Sequence, residues 1–237
     1  DEGSLRWRAA TDESLDVDVI RPAKDAFHPE GGIRLLKGNL GRSLIKTSAV
    51  AAERQRITAP AVVISDQAEL QVLFERGELD RDCVVVARFQ GPAANGMPEL
   101  HQLMPILGVL QDRGHAVALV TDGRLSGASG KVPAAIHVTP EAAKGGAICR
   151  IQDGDLMSLD VAAGELCVAV DEQTLANRQH PDTPMARNTV GRGLFKFSRE
   201  VVTDAESGGC TLFEPLVTDD LPKGESVSHA AYEHCAS

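Results

Sequence analysis

Residues 84–131 alternate in a way that few architectures accommodate: an apolar run, a polar loop, an amphipathic segment, a second apolar run and a second polar loop. Val84–Phe89 is apolar except for Arg88, as expected of a strand buried on both faces. The loop Gln90–Pro98 follows. Pro98 and Glu99 are predicted to open a helix that carries Leu103, Ile106, Leu107 and Leu110 on its apolar face and ends at Gly114. Pro105 inside that stretch must kink the helix or delay its start. Ala116–Val120 is the second strand. It stops at Thr121, where a loop with three glycines holds Asp122, Arg124, Ser126, Ser129 and Lys131. A right-handed crossover makes the two strands parallel and brings both loops to one edge of the sheet, with Glu99 and Ser126 within reach of one another. Strand ends that empty into Gly-rich loops are a common binding edge of α/β domains.

The flanking segments extend this α/β reading. Gly31–Val50 reads as two strands around the turn Gly38-Asn39-Leu40-Gly41. Ala61–Ser65 is a strand, and Asp66 caps a helix that runs through Phe74 and stops at Gly77. Later, Ala147–Ile151, Leu156–Val161 and Leu166–Val170 read as short strands separated by Asp153-Gly154-Asp155 and Ala163-Gly164, an antiparallel or barrel-like pattern. Asp171–Arg178 and Gly193–Val202 are expected helices. Residues 1–30 form a polar arm broken by Pro22 and Pro29, with a short strand at Val17–Ile20. The span 31–213 is expected to be one domain, and 214–237 a loosely held polar tail.

Aromatic residues make up 3% of the chain, so the core rests on Val, Leu, Ile and Ala. The net charge of −10 argues against nucleic-acid binding, which needs a basic surface. It leaves room for a small anionic substrate, because a local cationic cluster overrides the global sign. Five cysteines, an odd number with no CxxC pair, point to neither a disulfide framework nor a zinc site. Dispersed thiols fit a reducing cytoplasm. No stretch approaches the roughly 20 apolar residues that span a bilayer, and no signal pattern opens the chain. The start at Asp1-Glu2-Gly3 rather than Met suggests a fragment or processed product. The histidines are scattered singles without metal-ligand spacing, and His137 reads as a packed residue.

Four stretches carry a family resemblance: GGIRLLKGNLGRS (Gly31–Ser43), QGPAANGMPEL (Gln90–Leu100), TDGRLSGASGKVPAAIHVTPEA (Thr121–Ala142) and DGDLMSLDVAAGEL (Asp153–Leu166). Together they resemble the dihydroxy-acid and phosphogluconate dehydratase family. The wording ASGKVPAAIHV and PEGGIRLLKGNLGRS is similar to the members acting on 6-phosphogluconate. The resemblance covers about residues 5–213 and implies the C-terminal domain alone, a layered β/β/α swivelling-type fold. It further implies a larger N-terminal domain, without counterpart here, whose cysteines ligate an iron–sulfur cluster. A nearby Mg²⁺ and a homodimer of complete chains are implied as well. The reaction implied is loss of water from a 2,3-dihydroxy acid, giving 2-keto-3-deoxy-6-phosphogluconate from 6-phosphogluconate in the Entner–Doudoroff route. Related substrates are a branched dihydroxy acid or an unphosphorylated sugar acid. This chain by itself is expected to be inactive. A non-catalytic binding or assembly module is the reading of a different class.

The resemblance assigns roles to residues that, read alone, have ordinary explanations. Ser126 is the implied base; on its own it is a residue that turns or caps a Gly-rich loop. Glu99 is the implied Mg²⁺ ligand; on its own it favours the first turn of a helix. Lys131, Ser129 and the amides of Gly127 to Gly130 are candidates for a substrate phosphate, with a solvated lysine as the alternative. The string GASGK followed by Val132 is not a nucleotide P-loop. Arg124 is placed against either a substrate carboxylate or Asp122. Asn39, Arg42 and Ser43, in the other Gly-turn, are placed along the cleft.

Overall fold

Gly38 and Gly41 face each other across the two-residue turn Asn39-Leu40, joining strand β1 (Ile33–Gly38) to β2 (Gly41–Lys46) as the Gly spacing predicts. This hairpin is part of a closed eight-stranded barrel. The computed structural model describes residues 3, 13–28, 30–126, 130–184 and 193–212. The remaining strands are β3 (Arg56–Ile64), β4 (Cys83–Ala87), β5 (Val117–Thr121), β6 (Ala134–Thr139), β7 (Leu156–Asp160) and β8 (Glu165–Val168). Their order around the barrel is β1-β2-β6-β5-β4-β3-β7-β8. The run β3-β4-β5-β6 is parallel, β1 and β8 close the barrel in parallel, and the other pairs are antiparallel.

Helices α1 (Gln67–Glu75) and α3 (Leu103–Asp112) cover the parallel strands. The period-2 alternation of β4 and β5 sorts their side chains. Val84, Val86, Ala118 and Val120 point into the barrel, while Cys83, Val85, Val117 and Leu119 point to the helices. Both faces are therefore dry, which is why these strands read as unbroken apolar runs. Helix α1 starts on Asp66, whose Oδ1 accepts the Ala68 amide at 2.8 Å. Helix α3 lacks a side-chain cap. It is held by burial of Leu103, Ile106, Leu107 and Leu110, each contributing about 2 kcal/mol against about 1 kcal/mol for a cap. Shorter helices among the described residues include α2 (Pro92–Asn95), α4 (Glu172–Asn177) and α5 (Lys196–Val201).

Several expectations are corrected. Helix α3 begins at Leu103, so Pro105 lies in its first turn and delays its start; Pro98 and Glu99 lie outside it. Ala147–Arg150 is a 3-10 turn rather than a strand, because its neighbouring carbonyls are turned inward: Arg88 Nη1 donates to the carbonyls of Cys149 and Ile151 at 2.7 and 3.2 Å. The Asp153-Gly154-Asp155 turn likewise bonds to Ala61 of β3 instead of closing a hairpin. Strand β3 starts earlier than predicted and runs through Pro60, changing partners there from β7 to β4. Strand β6 was not anticipated. Cys83, Cys149 and Cys210 are free thiols as expected, whereas Cys167 is disulfide-bonded.

The chain divides into two units, Asp1–Gly32 and Ile33–Ser237. In the first, Val17–Ile20 is a turn, not a strand, because the Asp16 side chain accepts the Asp18 amide and the Asp16 carbonyl accepts the Ile20 amide. Residues 214–237 lie outside the described residues. Among the described residues no helix is long and apolar enough to cross a membrane.

Gly38 makes the tightest strand contact of the hairpin: a Cβ there would stand 1.9 Å from the Leu166 carbonyl oxygen of β8. Gly38→Ala is expected to destabilise the chain by about 3 kcal/mol in urea denaturation. Gly77→Ala, with a positive φ but open space around it, should cost about 1 kcal/mol.

Candidate active site

The parallel register of β4 and β5 pairs Ala87 with Thr121, so the chain leaves both strands at the same rim. Thr121 Oγ1 donates to the Ala87 carbonyl at 2.6 Å and accepts the Gly123 amide at 2.9 Å. Gly123 lies so close to Gln90 that a Cβ would be 2.7 Å from the Gln90 Cβ. Only glycine lets the second loop lie against the first. The bridge Glu99↔Arg124 then extends the pairing beyond the strands.

This bridge assembles the candidate site. Glu99 Oε2 accepts Arg124 Nη1 at 2.8 Å, and Glu99 Oε1 accepts the Ser126 amide at 2.8 Å. Arg124 Nε donates to the Met97 carbonyl at 2.8 Å. Gln67, at the start of α1, donates to the Glu99 carbonyl at 3.4 Å. Glu99 is half-buried, and Arg124 and Ser126 are exposed. A carboxylate, a guanidinium and a hydroxyl thus share one open rim, as the crossover argument predicts.

Beneath them two carboxylates are fully enclosed. Asp122 Oδ1 accepts the Gln90 amide and Oδ2 the Ala142 amide, both at 2.9 Å. Glu141 accepts the amides of Ala93 and Ala94 at 3.0 to 3.2 Å, at the start of α2. Burial pushes the Asp122 carboxyl up to about 6, aided by the nearby Glu141 charge and opposed by the amides of Gln90 and Ala142. Asp122 therefore ties the loops after β4, β5 and β6 together from below. The site has a further signature in its backbone. Phe89, Met97 and His137 take positive φ values of 61°, 50° and 56°, and all three flank these loops. Strain of this kind clusters at functional sites.

The other predicted residues are placed differently. Arg124 pairs with Glu99, not with Asp122. Lys131 Nζ sits on the Asp112 carboxylate of α3 at 2.8 and 2.9 Å. Gly130 packs against Ala49, and Gly127 and Ser129 lie outside the described residues. Asn39 brackets Val168 of β8, donating to its carbonyl and accepting its amide. Arg42 pairs with Glu206. Ser43 is 2% exposed, and its hydroxyl finds no hydrogen-bond partner among the described residues. His137 is half-buried, and desolvation lowers its pKa, with the Arg124 charge adding to the effect. Sequence reasoning missed Gln67, Gln90 and Glu141. The one available signal for Glu141 is a carboxylate directly after Pro140 in the third quoted stretch.

Among the described residues no group of three or more His, Cys, Asp or Glu side chains gathers as a metal site. Glu99 offers what a hard divalent cation takes, carboxylate oxygens at an open rim, each with a lone pair beyond the bonds described. It amounts to one ligand. Nothing among the described residues fits an iron–sulfur cluster.

Comparison with known proteins gives a consistent result. Residues 18–209 match the family described as dihydroxy-acid/6-phosphogluconate dehydratase C-terminal. The chain is similar to the phosphogluconate dehydratase of Pseudomonas aeruginosa, 54% identical over 217 residues covering 91% of this chain, and to that of Escherichia coli K12, 54% identical over 214 residues covering 89%. It is 34% identical over 212 residues, 87% of this chain, to the dihydroxy-acid dehydratase of Ignicoccus hospitalis. The chain spans 36%, 36% and 38% of the length of these three relatives.

Proposed function

The chain belongs to the dihydroxy-acid/6-phosphogluconate dehydratase family as its C-terminal domain, and on that premise we propose that it supplies one wall of the active site of a hydro-lyase acting on 6-phosphogluconate. The observation that carries this reading is the Glu99–Arg124–Ser126 constellation, held on one open rim by two parallel strand ends. The 54% identity to phosphogluconate dehydratases, against 34% to a dihydroxy-acid dehydratase, favours the phosphorylated sugar acid over a branched substrate.

In this mechanism Ser126 Oγ takes the proton from C2. The C–H electron pair becomes the C2–C3 double bond and the C3–O bond breaks; the departing hydroxide takes the proton from Ser126 Oγ, leaving as water and restoring the alkoxide. The enol then takes up a proton at C3 and loses the proton of its C2 hydroxyl, giving the 2-keto product. A serine hydroxyl is a weak base and serves only where nearby donors and cations stabilise its alkoxide. Arg124, two residues away, supplies a cationic neighbour. Glu99 is oriented by Arg124 on one oxygen and by the Ser126 amide on the other, so the base and the carboxylate move as a unit. A divalent cation held by Glu99 and by ligands outside this chain would supply Lewis-acid assistance at substrate oxygens. The complete enzyme, with an N-terminal domain across the cleft and an iron–sulfur cluster on it, remains the assembly in which this wall works. In this proposal the assembled enzyme works in the cytoplasm as a dimer.

The test is turnover of 6-phosphogluconate to its 2-keto-3-deoxy product by the complete enzyme, with this chain alone assayed in parallel in the presence of iron and Mg²⁺. The complete enzyme should be active and the chain alone inactive; turnover by the chain alone overturns the half-site reading. Glu99→Gln in the complete enzyme should raise the Mg²⁺ concentration for half-maximal activity by about tenfold, since a neutral amide oxygen replaces a charged ligand.

A further inference from the structure

A cavity of about 670 Å³ opens directly beside the Glu99 segment. Met97 and Pro98 line it, together with Ser198 and Arg199 of α5. Gln67, which donates to the Glu99 carbonyl, also lines it. We propose that this cavity is the subsite for the substrate's phosphate, with Arg199 as its anchoring cation. The inference rests on the reading that the substrate is a phosphorylated sugar acid.

The choice of Arg199 follows from where the other cations go. Arg124 is committed to Glu99, Lys131 to Asp112 and Arg42 to Glu206, while Arg88 donates to two carbonyls. Lys131, the residue the sequence favours for phosphate, faces helix α3 and does not line the cavity. Arg199 is half-buried, and among the described residues its guanidinium meets no acceptor. It is the one cation among the described residues lining the cavity, and Ser65, Ser198 and Thr211 add hydroxyls that donate to an oxyanion. Asp66 is the one carboxylate there, and its Oδ1 is turned to the Ala68 amide as the cap of α1. The cavity also adjoins the rim: Met97 and Pro98, which line it, directly precede Glu99 in the chain.

The experiment uses the complete enzyme. Arg199→Ala should raise KM for 6-phosphogluconate by about tenfold or more while kcat stays within about twofold. Inorganic phosphate, used as a competitive inhibitor, should weaken in parallel. Arg199→Lys should recover part of the loss. Ser198→Ala should raise KM by about threefold, and it serves as the variant if Arg199→Ala does not fold. An unchanged KM and unchanged phosphate inhibition in Arg199→Ala overturn the proposal, as does a fall in kcat without change in KM. A separate readout is the rise in melting temperature of the wild-type enzyme with inorganic phosphate, which Arg199→Ala should abolish. If wild type does not dehydrate 6-phosphogluconate, the substrate reading falls. The melting experiment then decides the subsite: a phosphate response lost in Arg199→Ala upholds it, and a response retained in the variant, or absent from wild type, overturns it.

Discussion

Ser126→Ala in the complete enzyme is expected to lower kcat for 6-phosphogluconate by about 10³-fold, with KM within about threefold of wild type. Side chain and backbone of this residue do separate work. Alanine retains the amide that Glu99 Oε1 accepts at 2.8 Å, so the carboxylate keeps its orientation and its pairing with Arg124. The residue is exposed, and such a change costs less than about 0.5 kcal/mol of stability. What is lost is the oxygen proposed to take the C2 proton. The Mg²⁺ requirement should stay at its wild-type level, in contrast to Glu99→Gln, where it shifts. Steady-state kinetics at several Mg²⁺ concentrations check both variants together. A Ser126→Ala enzyme that keeps more than about a tenth of wild-type kcat would remove this residue from the chemistry and leave it a loop residue.

The juxtaposition of Glu99 and Ser126 was legible in the chain because it follows from a handedness rule acting on two apolar runs. Val84–Ala87 and Val117–Val120 announce themselves as strands, and the crossover through α3 fixes which ends meet. Identities local to the loop were less legible. Nothing in the order Asp122-Gly123-Arg124 tells which acidic partner the arginine takes. The answer depends on the two-sided burial of Asp122 between the amides of Gln90 and Ala142, set by contacts far along the chain. Asn39 illustrates the same limit: its turn is legible in the Gly spacing, but its side chain bonds to Val168, 129 residues away. Lys131 Nζ meets the Asp112 carboxylate of α3, a partner that packing supplies and the order of the loop does not show. The apolar wording of Ala147–Ile151 looked like a strand because period-2 and buried turn cannot be distinguished over five residues. Arg88 decides it by drawing two of its carbonyls inward.

Asp122→Ala is expected to cost about 4 kcal/mol, because it strips the acceptors from two enclosed amides and frees three loops at once. Asp122→Asn tests the electrostatics within nearly the same volume. The amide oxygen satisfies one N–H, but the NH2 group confronts the other, for a loss of about 2 kcal/mol at neutral pH. The two should also differ in their response to pH. The wild-type carboxyl is pushed up from 3.8 to about 6 in the native state, chiefly by burial. Between those values the native protein holds this proton while the unfolded chain has released it. Stability from this group therefore falls as pH rises from about 4 to about 6 and levels off above, where both states are ionised. Asparagine carries no such proton. The difference in unfolding free energy between wild type and Asp122→Asn, followed by urea denaturation, should shrink as pH rises through this window and then stay flat. A difference that does not change across it would mean that Asp122 is ionised in the native state throughout. The gathering of the three loops would then rest on a permanent buried charge held by its amides.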